Sequence, residues 1–130
     1  MSEKQIIGGE ITWKGHTVPI SWAVKAGDFV FVSGMVSITK DLVPQFEGDI
    51  TEQTRNSLEF MKDILAQADC TLSDAVKVQV FLKNVEDFPA FNAEYAKHFP
   101  EMPPARFTIK TGFMDEACLV ELDCTAYKPQ

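Results

Sequence analysis

The run Ala75–Lys83, AVKVQVFLK, alternates along its length: Val76, Val78, Val80 and Leu82 fall on one side of an extended chain, Lys77, Gln79 and Lys83 on the other. Such a strand buries one face and wets the other, so it calls for helices on a single side of a sheet. The run Asp28–Val36, DFVFVSGMV, is instead apolar at almost every position, the pattern of a strand covered on both faces. Between the two, Leu58, Met61, Leu65 and Ala68 recur at helical spacing and Ile64 widens the stripe. This predicts an amphipathic helix over Thr51–Ala68, with Asp49 as its cap.

Downstream of Asn84 a second helix is predicted. Pro89 suits a first turn, Phe88, Phe91 and Tyr95 stripe one side, Lys97 and His98 complement the dipole in the last turn, and Pro100, Pro103 and Pro104 stop it. Ala105–Lys110 and Ala117–Tyr127 flank TGFMDE and are expected to form a hairpin, and IIGGEITW near the N-terminus another. Strands, helix, strand, helix, hairpin: this order indicates an α+β fold with both helices on one face of a sheet. At 130 residues, without internal repeat, linker or low-complexity tract, a single domain over 1–130 is expected.

A hairpin symmetric about Phe113 and Met114 would set Arg106 opposite Glu121 and Phe107 opposite Val120. Phe107, Ile109, Cys118, Val120, Leu122 and Cys124 would then lie under the helices, with Arg106, Thr108, Glu121 and Asp123 on the other side. The apolar second face of Asp28–Val36 calls for a partner subunit there, and a subunit boundary is where a concave site can form.

A net charge of -7 and a pI near 4.7 argue against a nucleic-acid footprint, because phosphate contacts need clustered Lys and Arg. Only two arginines are present, Arg55 and Arg106. No apolar run approaches the ~18 residues of a membrane span and no basic segment precedes an apolar one, so a soluble cytoplasmic protein is expected. Cys70, Cys118 and Cys124 are odd in number, lack CxxC spacing and adjoin apolar segments, which points to buried free thiols. His16 and His98 lie near no cysteine pair and form no HExxH motif, so no metal site is expected. There is no P-loop and no GxGxxG, and Ser33 in VSG is not a GxSxG elbow, so neither a cofactor nor nucleophilic catalysis is indicated.

Arg106 stands out. It can be half of a cross-strand ion pair with Glu121 or Asp123, worth about 0.2–1 kcal/mol. Alternatively its planar fork of donors can grip a carboxylate in bidentate fashion and fix a substrate's orientation, which a lysine could not do. Glu121 lies among Leu119, Val120 and Leu122, where a carboxylate without a partner is costly. Asn92, four residues after Phe88 and three before Tyr95, borders the apolar stripe of its helix.

The segments AVKAGDFVFVSGMV, DITEQTRNSLEFMKDIL, VKVQVFLKNVEDFPAFNAEYAKHF, PPAR and LVELDCTA resemble, in order, those of the RidA (YjgF, L-PSP endoribonuclease-like) family. Members of that family are small trimeric enzymes that hydrolyse reactive imines and enamines to carbonyl compounds and ammonia. The resemblance covers most of the chain from about Ala23 onward. Its specificity lies in the combination of PAR, a VE pair ending fifteen residues after the arginine, and an FxxxNxxY helix.

The resemblance implies a chorismate mutase-like fold: a mixed six-stranded sheet with two helices on one face, assembled as a homotrimer around a central barrel with clefts between subunits. It further implies that Arg106 binds the carboxylate of an imino or keto acid and that Glu121 positions a water. Ser33, Gly34, Asn92 and the backbone at Thr108 would line the cleft, with Ile20 and Trp22 on a further lining segment. No metal or organic cofactor is required.

This chain departs from the family at four positions. Pro19-Ile20 stands where many members have a tyrosine after the proline, Trp22 replaces a common glutamine, Met35 replaces the glutamine after the SG pair, and Thr108 stands where a cysteine is frequent. These changes bear on a preference for 2-aminoacrylate rather than on carboxylate binding. Two other activities compete, an L-PSP-type endoribonuclease or translation inhibitor and a non-catalytic sensor of small acids. The acidity around Arg106, from Glu101, Glu121 and Asp123, weighs against the first.

Overall fold

The computed structural model describes residues 3–129. The chain runs β1 (Gln5–Ile7), β2 (Thr12–Trp13), β3 (His16–Thr17), β4 (Ala23–Ala26), β5 (Phe29–Met35), α1 (Ile50–Ala66), β6 (Ala75–Leu82), α2 (Phe88–His98), β7 (Ala105–Lys110) and β8 (Val120–Tyr127). Six strands form one mixed sheet in the order β1-β4-β5-β8-β6-β7, and β2 with β3 makes a separate small hairpin. Both helices lie against one face. Asp49 caps α1 by accepting a hydrogen bond from the Glu52 N–H at 3.0 Å. Leu58, Met61, Ile64 and Leu65 of α1, with Phe91 and Tyr95 of α2, close over Val30, Val32, Val78, Val80, Val120 and Leu122 of the sheet.

The expected final hairpin does not form, because β6 lies between its two strands. It runs parallel to β7, with Val78 beside Arg106, and antiparallel to β8, with Phe81 beside Glu121. Two causes act together. A strand, a helix and a second strand in succession favour a parallel pair, and residues 111–119 are a connection long enough to step over β6, unlike a tight turn that would force its flanking strands together. Meanwhile β8, whose alternate residues Val120, Leu122, Cys124 and Ala126 are buried, takes the central position between β5 and β6.

The face assignment of β7 reverses with the pairing. Arg106 and Thr108 share the helix side with Val78 and Val80, whereas Phe107 and Ile109, each 41% exposed, turn to the open side. Val76 also leaves the expected core row, because an irregular register between Ala75 and Lys77 buries Ala75 in its place. Along β5, Val30, Val32 and Met35 enter the core while Phe29 and Phe31 stand on the open face. Aromatic rings continue across that face: Phe29 contacts Tyr127 at 5.1 Å between centroids, and Phe81 meets Phe107 edge-on at 6.3 Å. A bare apolar sheet face of this kind marks an interaction surface.

Gln53 of α1 is a buried polar staple. It is 1% exposed; its amide nitrogen donates to the Ala117 carbonyl at 2.8 Å and the Phe46 carbonyl at 3.2 Å, and its amide oxygen accepts from the Leu119 N–H at 2.8 Å. One side chain thereby ties two long loops to the helix. Gln53→Ala would leave those backbone groups unpaired, and a stability loss of about 3 kcal/mol is expected in urea denaturation.

Among the described residues no helix is long and apolar enough to cross a membrane. The three cysteines are buried and free. Burial pushes each thiol up, that of Cys124 to about 12, which leaves them unreactive near neutrality.

Candidate functional site

Arg106 reaches from the edge strand β7 toward α2. Its guanidinium carbon lies 4.8 Å from the centre of the Tyr95 ring, 5.4 Å from Phe91 and 5.8 Å from Phe88. The three rings stand on one helical stripe, so α2 presents them together as a cradle. Among the described residues, no carboxylate lies within ion-pair distance of Arg106. The cross-strand pair with Glu121 or Asp123 is absent because both acids lie beyond β6 and face the open side. Arg106 is thus a half-buried cation held by aromatic faces, with its fork of donors unclaimed by any of the described residues. Burial pushes the Tyr95 hydroxyl up to about 12, against the opposing pull of the Arg106 charge.

Thr108 follows two residues along the same face. Ladder bonding continues past β7 with the Thr111 N–H donating to the Leu82 carbonyl at 2.9 Å; alternation along the strand then turns the Thr108 N–H outward, to the free edge. Half-buried Asn92 shares the α2 stripe with Phe88 and Tyr95. A hollow opens beside these groups, lined by Leu82, Val85, Phe88, Thr108, Ile109 and Lys110. Arg106, Thr108 and the α2 stripe that carries Asn92 therefore lie on one side of the sheet edge, with Phe88 joining the cradle to the hollow.

A second group lies elsewhere on the sheet. Glu121, at the start of β8, sits against Gly34 so closely that a Cβ there would collide with its Oε2. Any side chain at position 34 would displace the carboxylate from this place. Ser33 donates its hydroxyl to the Ser21 carbonyl and its N–H to the Trp22 carbonyl at 2.9 Å, which fastens the segment after Ile20 beside this bulged part of β5. The Trp22 ring turns onto Phe60 of α1, 4.9 Å between centroids, and packs against the core, whereas Ile20 is exposed.

Burial, reinforced by the neighbouring Asp123 charge, raises the Glu121 carboxyl above its usual value of 4.5. Asp123 is itself raised by burial, partly offset by the Gln79 N–H that donates to it at 3.3 Å. A pH dependence follows. Where Glu121 must be ionised to act, activity rises with pH along a limb centred above 4.5. Asp123→Asn removes a like charge, so that limb is expected to move to lower pH, as read in kcat/KM profiles. A limb that stays in place would separate Asp123 from the chemistry.

The two groups do not meet within one chain. Arg106 lies on the helix side of β7 and Glu121 on the open side of β8, with β6 between them. The sequence singled out both residues but gave no sign of this separation. It also gave no functional weight to the rings of Phe88, Phe91 and Tyr95; their stripe was visible, but it reads as core until the arginine is seen lying on it.

The family model described as Endoribonuclease L-PSP matches residues 16–128. The chain is 36% identical over 105 residues to the 3-aminoacrylate deaminase RutC of Acinetobacter baylyi, covering 81% of this chain and 83% of that one. The yeast Mmf1 crystal structure superposes with a TM-score of 0.84 at 31% identity, over 97% of this chain and 99% of Mmf1. RidA from an Antarctic Psychrobacter gives a TM-score of 0.82 at 27% identity, over 95% and 98% of the two chains.

Proposed function

The chain belongs to the RidA (YjgF/L-PSP) family, and from that premise we propose that it is a cofactor-independent deaminase of 2-imino acids and of the enamines that tautomerise to them. The products are 2-keto acids and ammonia. The family includes a protein named 3-aminoacrylate deaminase, whose substrate also joins a carboxylate to an enamine nitrogen. The observation that carries the reading is the Arg106 guanidinium, stacked on three aromatic rings, without an acidic partner among the described residues, at an open sheet edge beside a hollow.

In this reading the active protein is a cytoplasmic homotrimer. Its open, aromatic sheet faces are covered by neighbouring copies, and each cleft joins Arg106, Asn92 and the Thr108 backbone of one subunit to Ser33, Gly34 and Glu121 of the next. The separation of the two groups within a chain supports this arrangement.

The chemistry needs little machinery, because a C=N bond is already electrophilic and positioning supplies most of the acceleration. Arg106 clamps the carboxylate. Water adds to the imine carbon as Glu121 takes one of its protons and returns it to nitrogen, and the resulting carbinolamine expels ammonia as its hydroxyl becomes the carbonyl. The raised Glu121 carboxyl suits a group that must both accept and release a proton. Ribonuclease activity is not part of the proposal, since a chain of net charge -7 lacks the clustered cations that RNA contacts need.

The test generates imines from amino acids with an amino-acid oxidase and follows their decay in the presence of a metal chelator. Faster decay with the protein than without it is expected. Binding of a 2-keto acid with no gain in imine decay would replace the enzyme with a sensor of small acids.

A further inference from the structure

Strand pairing fixes Glu121 on one side only. Toward β6 it pairs with Phe81. Toward β5 the register breaks between Val32 and Met35, and the pairing ends at Met35 with Leu122, short of Glu121. Gly34, against which the carboxylate lies, sits inside that irregular stretch. Two side chains of α1 supply the missing ties. Gln53 accepts from the Leu119 N–H and donates to the Ala117 carbonyl, both at 2.8 Å, on the segment that leads into Glu121. Asn56 accepts from the hydroxyl of buried Ser37 at 2.8 Å, just beyond Gly34. Spaced i, i+3, the two side chains are neighbours on the helix, so one rigid element holds the exit of β5 and the entry to β8.

We propose that Gln53 is a positioning residue for the reaction: it holds the Glu121 carboxylate beside Gly34, aimed at the attacking water, with the Asn56–Ser37 bond as a second tie. The proposal rests on the reading of Glu121 as the proton relay and adds what fixes that relay in place. Gln53 itself touches no substrate. Its amide offers a donor and an acceptor side by side, as a strand peptide does, and at 1% exposure no water can take over either role. Arg106 is held independently, since β7 pairs with β6 along its whole length and the guanidinium lies on the rings of α2. Loosening Gln53 therefore moves the relay and spares the clamp.

Gln53→Met keeps the length and bulk of the side chain and removes its hydrogen bonds. A misplaced reacting group costs rate steeply, so kcat for an oxidase-generated imine is expected to fall roughly 10- to 100-fold. Affinity for pyruvate, read by calorimetry, stays within about threefold, because the clamp is untouched. The pH profile moves as well. Burial is the main cause that raises the Glu121 carboxyl, and a loosened Glu121 gains water, while the neighbouring Asp123 stays tied to the Gln79 N–H. The acid limb therefore shifts to lower pH in Gln53→Met. Leu58→Ala, in the core under the same helix, controls for stability: it lowers the urea midpoint and leaves kcat and the limb in place. Ser37→Ala gives the same pattern at smaller size, kcat falling about three- to tenfold, and decides the question should Gln53→Met not fold.

A wild-type kcat in Gln53→Met, an equal loss in Leu58→Ala, or pyruvate affinity falling in step with kcat would each overturn the positioning role while Glu121 keeps its own. The underlying reading is checked apart from it: Glu121→Gln with wild-type kcat would remove the proton relay, and the role of Gln53 with it.

Discussion

Arg106→Ala is expected to lower kcat/KM for imine hydrolysis by roughly 10²–10³, with folding little affected. A bidentate grip supplies two charge-assisted hydrogen bonds at about 1.5–2 kcal/mol each, and about 1.4 kcal/mol corresponds to a factor of ten in rate. The stability cost is of another order. Arg106 makes no ion pair with the described residues, so truncation forfeits its stacking on Phe88, Phe91 and Tyr95, about 1 kcal/mol for a half-exposed group. Arg106→Lys keeps the charge but loses the planar fork, and recovers only part of the rate. Imine decay and thermal unfolding measured on the same preparations separate the two effects. Equal decay rates for wild type and Arg106→Ala would remove the arginine from the mechanism.

How much of this was legible beforehand depends on the range of the physics involved. The α1 stripe, the Asp49 cap, the Pro89 start of α2 and the alternation of β6 are local patterns, and the structure reproduces them within a residue or two. The partner of β7 is not a local property. Ala105–Lys110 and Ala117–Tyr127 are neighbours in sequence, yet only the competition of β5, β6 and β7 for pairing with β8 decides that β6 intervenes.

The wrong side chosen for Arg106 has a sharper cause. In ARFTIK the apolar Phe107 and Ile109 look like the buried row, because apolar residues usually point inward. Here both sides of the sheet carry apolar residues, and the arginine enters the helix side because three rings accept its cation. Phe29 and Phe31 on β5 give the same lesson: a strand apolar on both sides announces that something covers each, but not what.

The separation of Arg106 from Glu121 permits a decisive experiment on assembly. Arg106→Ala and Glu121→Gln chains should each be nearly inactive alone, the second because the proton relay at the attacking water is lost, an effect on the order of 10²–10⁴. If every cleft takes its arginine from one subunit and its glutamate from the next, co-refolding the two variants in equal amounts restores about one quarter of wild-type activity: half the arginine donors are intact, half the glutamate donors are intact, and the two are chosen independently. A site built within one chain gives none, because each chain then carries one defect. The reciprocal mixture strengthens the argument. Wild type co-refolded with the double variant yields about one quarter of full activity if the cleft is shared and about one half if it is not. Native mass spectrometry of the mixtures confirms that the chains have exchanged, so that absent recovery counts against the shared cleft rather than against the mixing.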